Sequence, residues 1–448
     1  MESLSKWLVA GLLVGAATAA VAGEPRALRS RELVVRPEVL RNTTKPGDLV
    51  PLEMFDDPTD GAVLENRTED RLNGLVWRGR LADYEDGWVI LVEHDGVMAG
   101  VVSDGERLFR IGYVGGGRHV IEEIDPRSLA KSTNDAVVPD ALAPETQWPL
   151  QAEAAFDPDA GVETLTEIDV LMVYTRKAAR HLVKNRHRYF WIEESAPRRA
   201  IESQARLAIA VANAALENSR VQARLRLVAV TKIAGKGTSN SSRDLARLAE
   251  PDDGRFDKAH VLRQRLGADF VVMLVGKASP ELGGIGYIVP ATHPVAPNLA
   301  FSIVRSSALW WTTVAHEIGH NMGLVHDPDH DTTPAFARSH PYSRGYRNEA
   351  MGLATLMAYE DGCAACWLNI PHYSNPKVRW AGDTRPSHPR LVQPSCQGDE
   401  PANHPDIQFP VCGVKTGSGG FNAAKSIHKD RKIFAAFRPC EVDCRLGE

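Results

Sequence analysis

The stretch HEIGHNMGLVHD, residues 316–327, sets three histidines and one glutamate where a single metal ion could be held beside an acid–base group. On a helix His316 and His320 are one turn apart and share a face. Both imidazoles can then reach one ion at about 2.0–2.1 Å, the usual zinc–nitrogen distance. Glu317 stands about 100° round the helix from His316, beside the ion rather than on it. Gly323 can take the left-handed conformation that ends a helix, and the turn it makes would return His326 as a third ligand. Three protein ligands leave a fourth position open for water, whose pKa a zinc ion lowers to about 7. Glu317 is placed to take a proton from that water and later deliver it to a leaving amine. The chemistry is hydrolysis of an amide.

Something must position these groups. Residues 307–323 contain no proline and have Ser306 or Ser307 as a plausible cap, so a helix is expected there. IDVLMVYT (168–175) and ADFVVMLVG (268–276) read as buried strands, and RLRLVAV (224–230) alternates apolar residues at strand period. Between them Ile201, Ala205, Ala208, Ala212 and Ala215 recur at helical spacing, with Ile209 and Leu216 widening the stripe. DLARLAEPDDGRFDKAHVLRQRLG reads as a short helix broken at Pro251 and then a second helix. Strands interleaved with helices favour an α/β layer arrangement.

The extended pattern resembles the H-E-x-x-H-x-x-G-x-x-H signature of the metzincin zinc endopeptidases, and Asp327 after the third histidine resembles their reprolysin (adamalysin) branch. TLMAY (355–359) is similar to the Met-turn, which implies Met357 beneath the metal; YSNP (373–376) is similar to the segment that walls the primed-side pocket. VLMVYT near 170 and AVANAALENSRV near 210 resemble bacterial reprolysin-like enzymes, including the peptidyl-Asp metalloendopeptidases. The resemblance implies an α/β metzincin-like catalytic domain over residues 166–448, with a twisted, mostly parallel sheet, an active-site helix and one catalytic Zn2+. GGIGYI (283–288) looks like the edge strand, Gly284, Ile285, Gly286 and Tyr287, that pairs with substrate backbone. Tyr359 resembles a tyrosine that the astacin and serralysin branches bring to the metal, where it could ligate or hydrogen-bond the oxyanion; a packing role is the alternative. A calcium ion is known in the family, but no acid cluster here identifies a site for one.

The first half of the chain has a different character. Residues 23–165 carry 28 acidic and 15 basic residues, whereas 166–448 carry 28 acidic and 36 basic. Such asymmetry suits two units that dock on each other, or two separately solvated surfaces. Asp86-Gly87, Asp95-Gly96 and Asp104-Gly105 fall between apolar stretches, and Asp-Gly supplies the positive φ angles of tight hairpins. Residues 75–124 therefore read as a small antiparallel meander within a β-rich unit, 23–125. Residues 126–165 lack periodicity and read as a linker that holds a maturation cleavage. The resemblance implies that the acidic unit is a pro-domain, an inhibitor of its own catalytic half. It has no cysteine to place at a metal, so opposite-charge docking is expected, with a carboxylate, His94 or His119 at the ion.

Residues 1–22 have the order of a secretory signal, with Lys6, an uncharged run and Ala20-Val21-Ala22; a single membrane anchor is the rival reading. No later run is long and apolar enough to span a bilayer. Six cysteines, at 363, 366, 396, 412, 440 and 444, read as three local disulfides behind an export signal, with a structural zinc site as the alternative. The expectation is a secreted, extracellular or periplasmic monomer that cuts polypeptides and has no nucleic-acid motif. The alternative is a catalytically silent zinc-binding interaction module on a protease fold, which the presence of Glu317 argues against.

Overall fold

The computed structural model describes residues 25–142, 164–380 and 414–438, apart from 35–36, 53–54, 56–60, 71, 73, 85–86, 105–106, 130–134, 185–193, 277–278, 280–281, 362–365, 367–368 and 419. The signal-like segment, residues 143–163 and every cysteine except the buried Cys366 lie outside the described residues.

The N-terminal unit is one antiparallel sheet. Its strands are β1 (Ala27–Val34), β2 (Leu49–Val50), β3 (Ala62–Asp70), β4 (Gly74–Leu81), β5 (Trp88–His94), β6 (Val97–Ser103), β7 (Leu108–Gly115) and β8 (Arg118–Ile124), with a short helix α1 (Pro37–Asn42) after the first. Strands β2 to β8 follow one another as neighbours and β1 returns to pair with β8. The meander expected over 75–124 is thus the centre of an eight-stranded sheet. At the β5–β6 turn Asp95 and Gly96 take φ of 50° and 73°, the left-handed pair that a two-residue hairpin demands. The sheet is apolar on both sides. One face closes its own core around Trp77, Leu64 and Phe109. The other contributes Ile90, Val92, Ala99, Val101, Leu108 and Ile124 to a cluster with the second unit.

The second unit is the expected α/β layer. Its strands are β9 (Ala136–Val137), β10 (Thr166–Tyr174), β11 (Ala223–Lys232), β12 (Phe270–Val275), β13 (Gly284–Tyr287) and β14 (Phe301–Arg305), in spatial order β11-β10-β12-β14-β13-β9. The pairings β11 with β10, β10 with β12 and β12 with β14 are parallel; β13 runs antiparallel to β14. The last central strand, FSIVR, is too short an apolar run to distinguish from a helix segment by period alone.

Crossovers are made by α2 (Arg176–Lys184), α3 (Ala196–Asn218), α4 (Ser241–Ala249) and α5 (Lys258–Leu266), followed by a single turn α6 (Ala296–Leu299), the site helix α7 (Thr313–Asn321) and α8 (Ala423–Phe434). Two sequence expectations change. The helix expected over 307–323 is shorter, because Ser306–Ala308 form a 3-10 turn and α7 begins only after Thr312. Trp310 and Trp311 sit in the apolar cluster shared with the N-terminal sheet, so tertiary packing overrides local helical preference there. Nor is 126–165 wholly a linker: Pro126–Ser128 and Asp140–Leu142 are 3-10 turns, and β9 adds a parallel strand beside β13.

Candidate metal centre and active site

Helix α7 is buried over eight of its nine residues, His316, Glu317 and His320 among them. It ends as expected: Gly323 has φ of +71°, and a Cβ there would stand 2.2 Å from the Ser339 hydroxyl, so only glycine fits the turn. The chain then brings His326 back to the first two histidines. The Nε2 atom of His316 lies 3.1 Å from that of His320 and 3.3 Å from that of His326.

Backbone carbonyls orient two of the rings. His316 Nδ1 bonds the Leu356 carbonyl at 2.7 Å and His320 Nδ1 bonds the Leu324 carbonyl at 2.9 Å. A carbonyl only accepts, so Nδ1 carries the proton and the neutral ring presents its Nε2 lone pair to the centre. Lone pairs facing each other at such distances repel unless a cation stands among them. The donor set therefore fits a metal ion, and the outer carbonyl contacts are the kind that fix metal-binding histidines.

A fourth ligand candidate comes from the N-terminal side of the chain. Asp135, fully buried, places Oδ1 at 2.9 Å from His326 Nε2 and 3.5 Å from His320 Nε2, with Oδ2 at 3.4 Å from His316 Nε2. Asp135, His316, His320 and His326 together form a set whose ligand atoms lie within 4.8 Å of one another. Burial opposes ionisation of Asp135, yet His316 and His326 beside it hold its carboxyl well below the ordinary range. Burial also lowers His316, but Asp135 more than offsets it and the net shift is upward; His320 is lowered to about 4, by burial first.

Asp135 was not singled out in the sequence. The visible signal was Ala136-Val137-Val138, a short apolar run directly after an acid within an otherwise polar segment. His94 and His119, the other groups considered for the ion, are elsewhere. His119 accepts from the Met98 amide inside the N-terminal sheet, and His94 lies 3.4 Å from Arg206. Burial makes a lone imidazole a poor cation, and His119 is lowered to about 4.

Glu317 faces β13. Its side chain is fully buried, and among the described residues neither carboxyl oxygen has a hydrogen-bond partner. Burial, with the Asp135 charge adding to it, raises its carboxyl well above the usual range. The close approach depends on glycine: a Cβ on Gly284 would fall 2.4 Å from Glu317 Oε1, and one on Gly286 would fall 3.0 Å from the Glu317 carbonyl. Strand β13 is the one expected to receive substrate, and in this structure its outer edge holds β9. The Gly286 amide donates to the Asp135 carbonyl and the Ile288 amide to the Val137 carbonyl, each at 2.9 Å.

The remaining residues surround this centre. Met357 is buried beneath α7, where a Cβ on Gly319 would fall 2.5 Å from its sulfur. Asp327 accepts from the Tyr359 amide at 3.0 Å and pairs with His330 at 3.0 Å. The Tyr359 hydroxyl donates to Asp135 Oδ1, and its ring centroid is 4.2 Å from that of His326. Burial, then the Asp135 charge, pushes its phenol up. Tyr359 is thus at the centre rather than only packed beside it. Tyr373 of the YSNP segment donates to the Ala315 carbonyl at 2.9 Å, fixing that segment against α7. A cavity lined by Asp135, His316, Glu317, Tyr359 and the Trp310–Trp311 pair opens from the centre between the two units.

Residues 164–369 match the family model Reprolysin_5, metallo-peptidase family M12. The matched residues take in the histidine motif, Glu317 and Met357. The chain is 26% identical over 298 residues to a peptidyl-Asp metalloendopeptidase of Xanthomonas campestris, covering 65% of this chain and 63% of that relative. It is 28% identical over 294 residues to a peptidyl-Asp metalloendopeptidase of Pseudomonas aeruginosa, covering 61% of this chain and 41% of that one. The matched region thus spans less than two thirds of either relative. A solved structure, metalloproteinase-II from Bacteroides fragilis, aligns over 70% of this chain and 82% of its own at 11% identity, with a TM-score of 0.37.

Proposed function

We propose that this chain is a zinc-dependent endopeptidase made in a latent form, with Glu317 as its general base and Asp135 as the group that keeps it silent. The observation that carries the reading is the convergence of three histidine Nε2 atoms beside a buried glutamate without a partner. His316, His320 and His326 would hold the ion, and three nitrogens leave room for one more ligand, the pattern of catalytic rather than structural zinc. When bound, the ion supplies Lewis acidity and a water acidic enough to ionise near neutral pH.

The chain's own residues do the rest. Glu317, as the carboxylate, takes a proton at an oxygen from the attacking water and hands it to the leaving amine. The Gly286 and Ile288 amides, which now hold β9, would hold the substrate backbone. The Tyr359 hydroxyl, which now donates to Asp135, would donate to the carbonyl oxygen as it gains charge.

Latency follows from the same contacts. Asp135 and Val137 take the donors that a substrate needs, and the Asp135 carboxylate faces all three histidines. Its backbone carbonyl is turned to the Gly286 amide, so the peptide bond it belongs to is not offered to Glu317. The relatives are named for aspartyl peptides, and an aspartate is what this chain places at its own centre; a preference for Asp beside the cut bond is part of the proposal. Export behind the N-terminal segment, and disulfides among the six cysteines, are proposed on sequence grounds. Among the described residues no helix is long and apolar enough to cross a membrane.

The test compares the chain freed of its N-terminal unit with its Glu317→Ala form, for zinc content and for cleavage of an unbiased peptide library. One zinc in each, with cutting by the unsubstituted form alone, supports the roles given. A folded protein without zinc would overturn them.

A further inference from the structure

Helix α3 is apolar on two sides, which a surface helix is not. Ile201, Ala205, Ala208, Ala212 and Ala215 enter the core of the α/β unit. Leu207, Ala210, Val211 and Ala214 point the other way, into the cluster with Ile90, Val92, Ala99, Val101, Leu108 and Ile124 of the N-terminal sheet. Trp310 and Trp311, which line the cavity, complete that cluster, and Trp88 of β5 stacks on Trp311 with ring centroids 5.6 Å apart. At the start of α3, Ala196 and Ala200 meet Val97 and Tyr113. Polar contacts frame the patch: the Gln204 amide donates to the Ile111 carbonyl at 3.2 Å, and Arg206 donates to the Leu72 carbonyl at 2.8 Å.

Arg199 and Arg206 of α3 reach backbone carbonyls, those of Asp95 and Leu72, on the acidic unit. The ion pair Arg78–Glu217 has its arginine on the acidic unit and its glutamate on the basic one, against the overall asymmetry. Contact made largely by apolar burial is not screened by salt.

We propose that the outward face of α3, with Trp310 and Trp311, is a docking surface for the N-terminal sheet as a separate chain. Once the connection through residues 143–163 is cut, the N-terminal fragment stays in place as a salt-insensitive inhibitor, with Asp135 still at the centre. Activity waits for removal of the fragment, not for the cut. This rests on the latent-peptidase reading for its consequence, but the docking itself does not.

The experiment inserts a recognition site for an unrelated protease within 143–163 of the full chain, cuts it, and follows both fragments by size-exclusion chromatography beside peptidase activity. The run is repeated from about 0.1 M to about 1 M salt, which shortens the screening length from about 10 Å to about 3 Å. The expected result is co-elution at both salts and no gain of activity until the fragment is stripped by denaturant and exchanged away. Separation on cutting, or separation only at high salt, overturns the proposal. Trp88→Ala, which removes one aromatic contact from the sheet's side of the interface, should shorten the life of the cut complex without making it salt-sensitive. If the stripped C-terminal part never cleaves a peptide, the peptidase reading fails while elution still decides the docking surface.

Discussion

The Asp135 carboxylate stands 2.9 Å from His326 Nε2, although the two residues lie far apart in the sequence. The contact is reached because β9 lies parallel to β13, with Ala136 opposite Gly286 and Val137 opposite Tyr287. That register fixes where the preceding side chain goes. The same carboxylate accepts from Tyr359 and faces the other two histidines, so one aspartate meets the tyrosine and all three histidines of the centre.

Asp135→Ala should therefore release part of the latency in the uncut chain. Removing one partner of a buried charged cluster costs about 3–5 kcal/mol, so the hold of β9 on the centre should weaken by about 10²-fold or more. Peptidase activity of the uncut variant against the uncut parent measures this. Equal silence in both would show that coverage by the N-terminal sheet, not the carboxylate, blocks the site.

Glu317→Gln should cost about 10²–10⁴-fold in kcat, the usual contribution of a positioned proton carrier, while zinc content stays at the parent's level. The variant should be no less stable than the parent. Burial disfavours the charged form of Glu317, and a neutral amide of nearly the same shape removes that burden. Loss of metal from the variant would move Glu317 from the proton's path to the ligand set.

The site was more legible than its surroundings, for a physical reason. His316, His320 and His326 are tied by one helix and one glycine turn, so their spacing in sequence is nearly their spacing in space. Strands β10 and β12 showed in their branched and apolar content, β11 in its alternation, and β13 through its resemblance to a substrate-pairing edge strand. Asp135 is positioned by a two-residue strand pairing across the fold, and no local period reports such a contact. The second apolar face of α3 was not read from the sequence: Ile209 and Leu216, which widen the stripe, join the α/β core, and alanines on both sides hide which face meets which partner. Opposite charge in the halves pointed to an ionic contact or to separately solvated surfaces; the aliphatic and aromatic cluster that the units share has no signal in net charge.

Asp269 gives a pH dependence away from the centre. It is 2% exposed and accepts from the Asp169 amide at 2.8 Å and the Arg438 amide at 3.3 Å. Burial still pushes its carboxyl up to about 7 from 3.8. The folded state thus keeps this proton where the unfolded chain has lost it. Its stabilising contribution is full below about pH 4 and is lost as pH rises through about 7, on the order of 2–4 kcal/mol across the window. Asp269→Asn should flatten the stability profile between those limits, whatever its absolute stability, as denaturant melts at stepped pH would read. An unchanged slope would mean that Asp269 ionises in the folded protein as it does in the unfolded chain.

Gly284→Ala tests the closeness of β13 to the proton carrier. The added Cβ would meet Glu317 Oε1 at 2.4 Å, Cγ at 2.6 Å and Cδ at 2.7 Å, so either the carboxyl swings away or the strand retreats. Strand retreat is resisted by the ladder to β14, where Gly284 lies opposite Val304 and Ile285 opposite Ile303. The carboxyl is the softer element and should move. A displacement near 1 Å at a reacting group costs about 10²-fold, so kcat should fall by that order with KM and zinc content little changed. At Gly286 the nearest atoms are the Glu317 carbonyl at 3.0 Å and Oε2 at 3.2 Å, distances a small shift relieves. Gly286→Ala should accordingly lose about tenfold or less, by the same dependence of rate on placement. The ranking is the test: if the change at 286 proves the more damaging, the strand's glycines serve the substrate's backbone rather than the placement of Glu317.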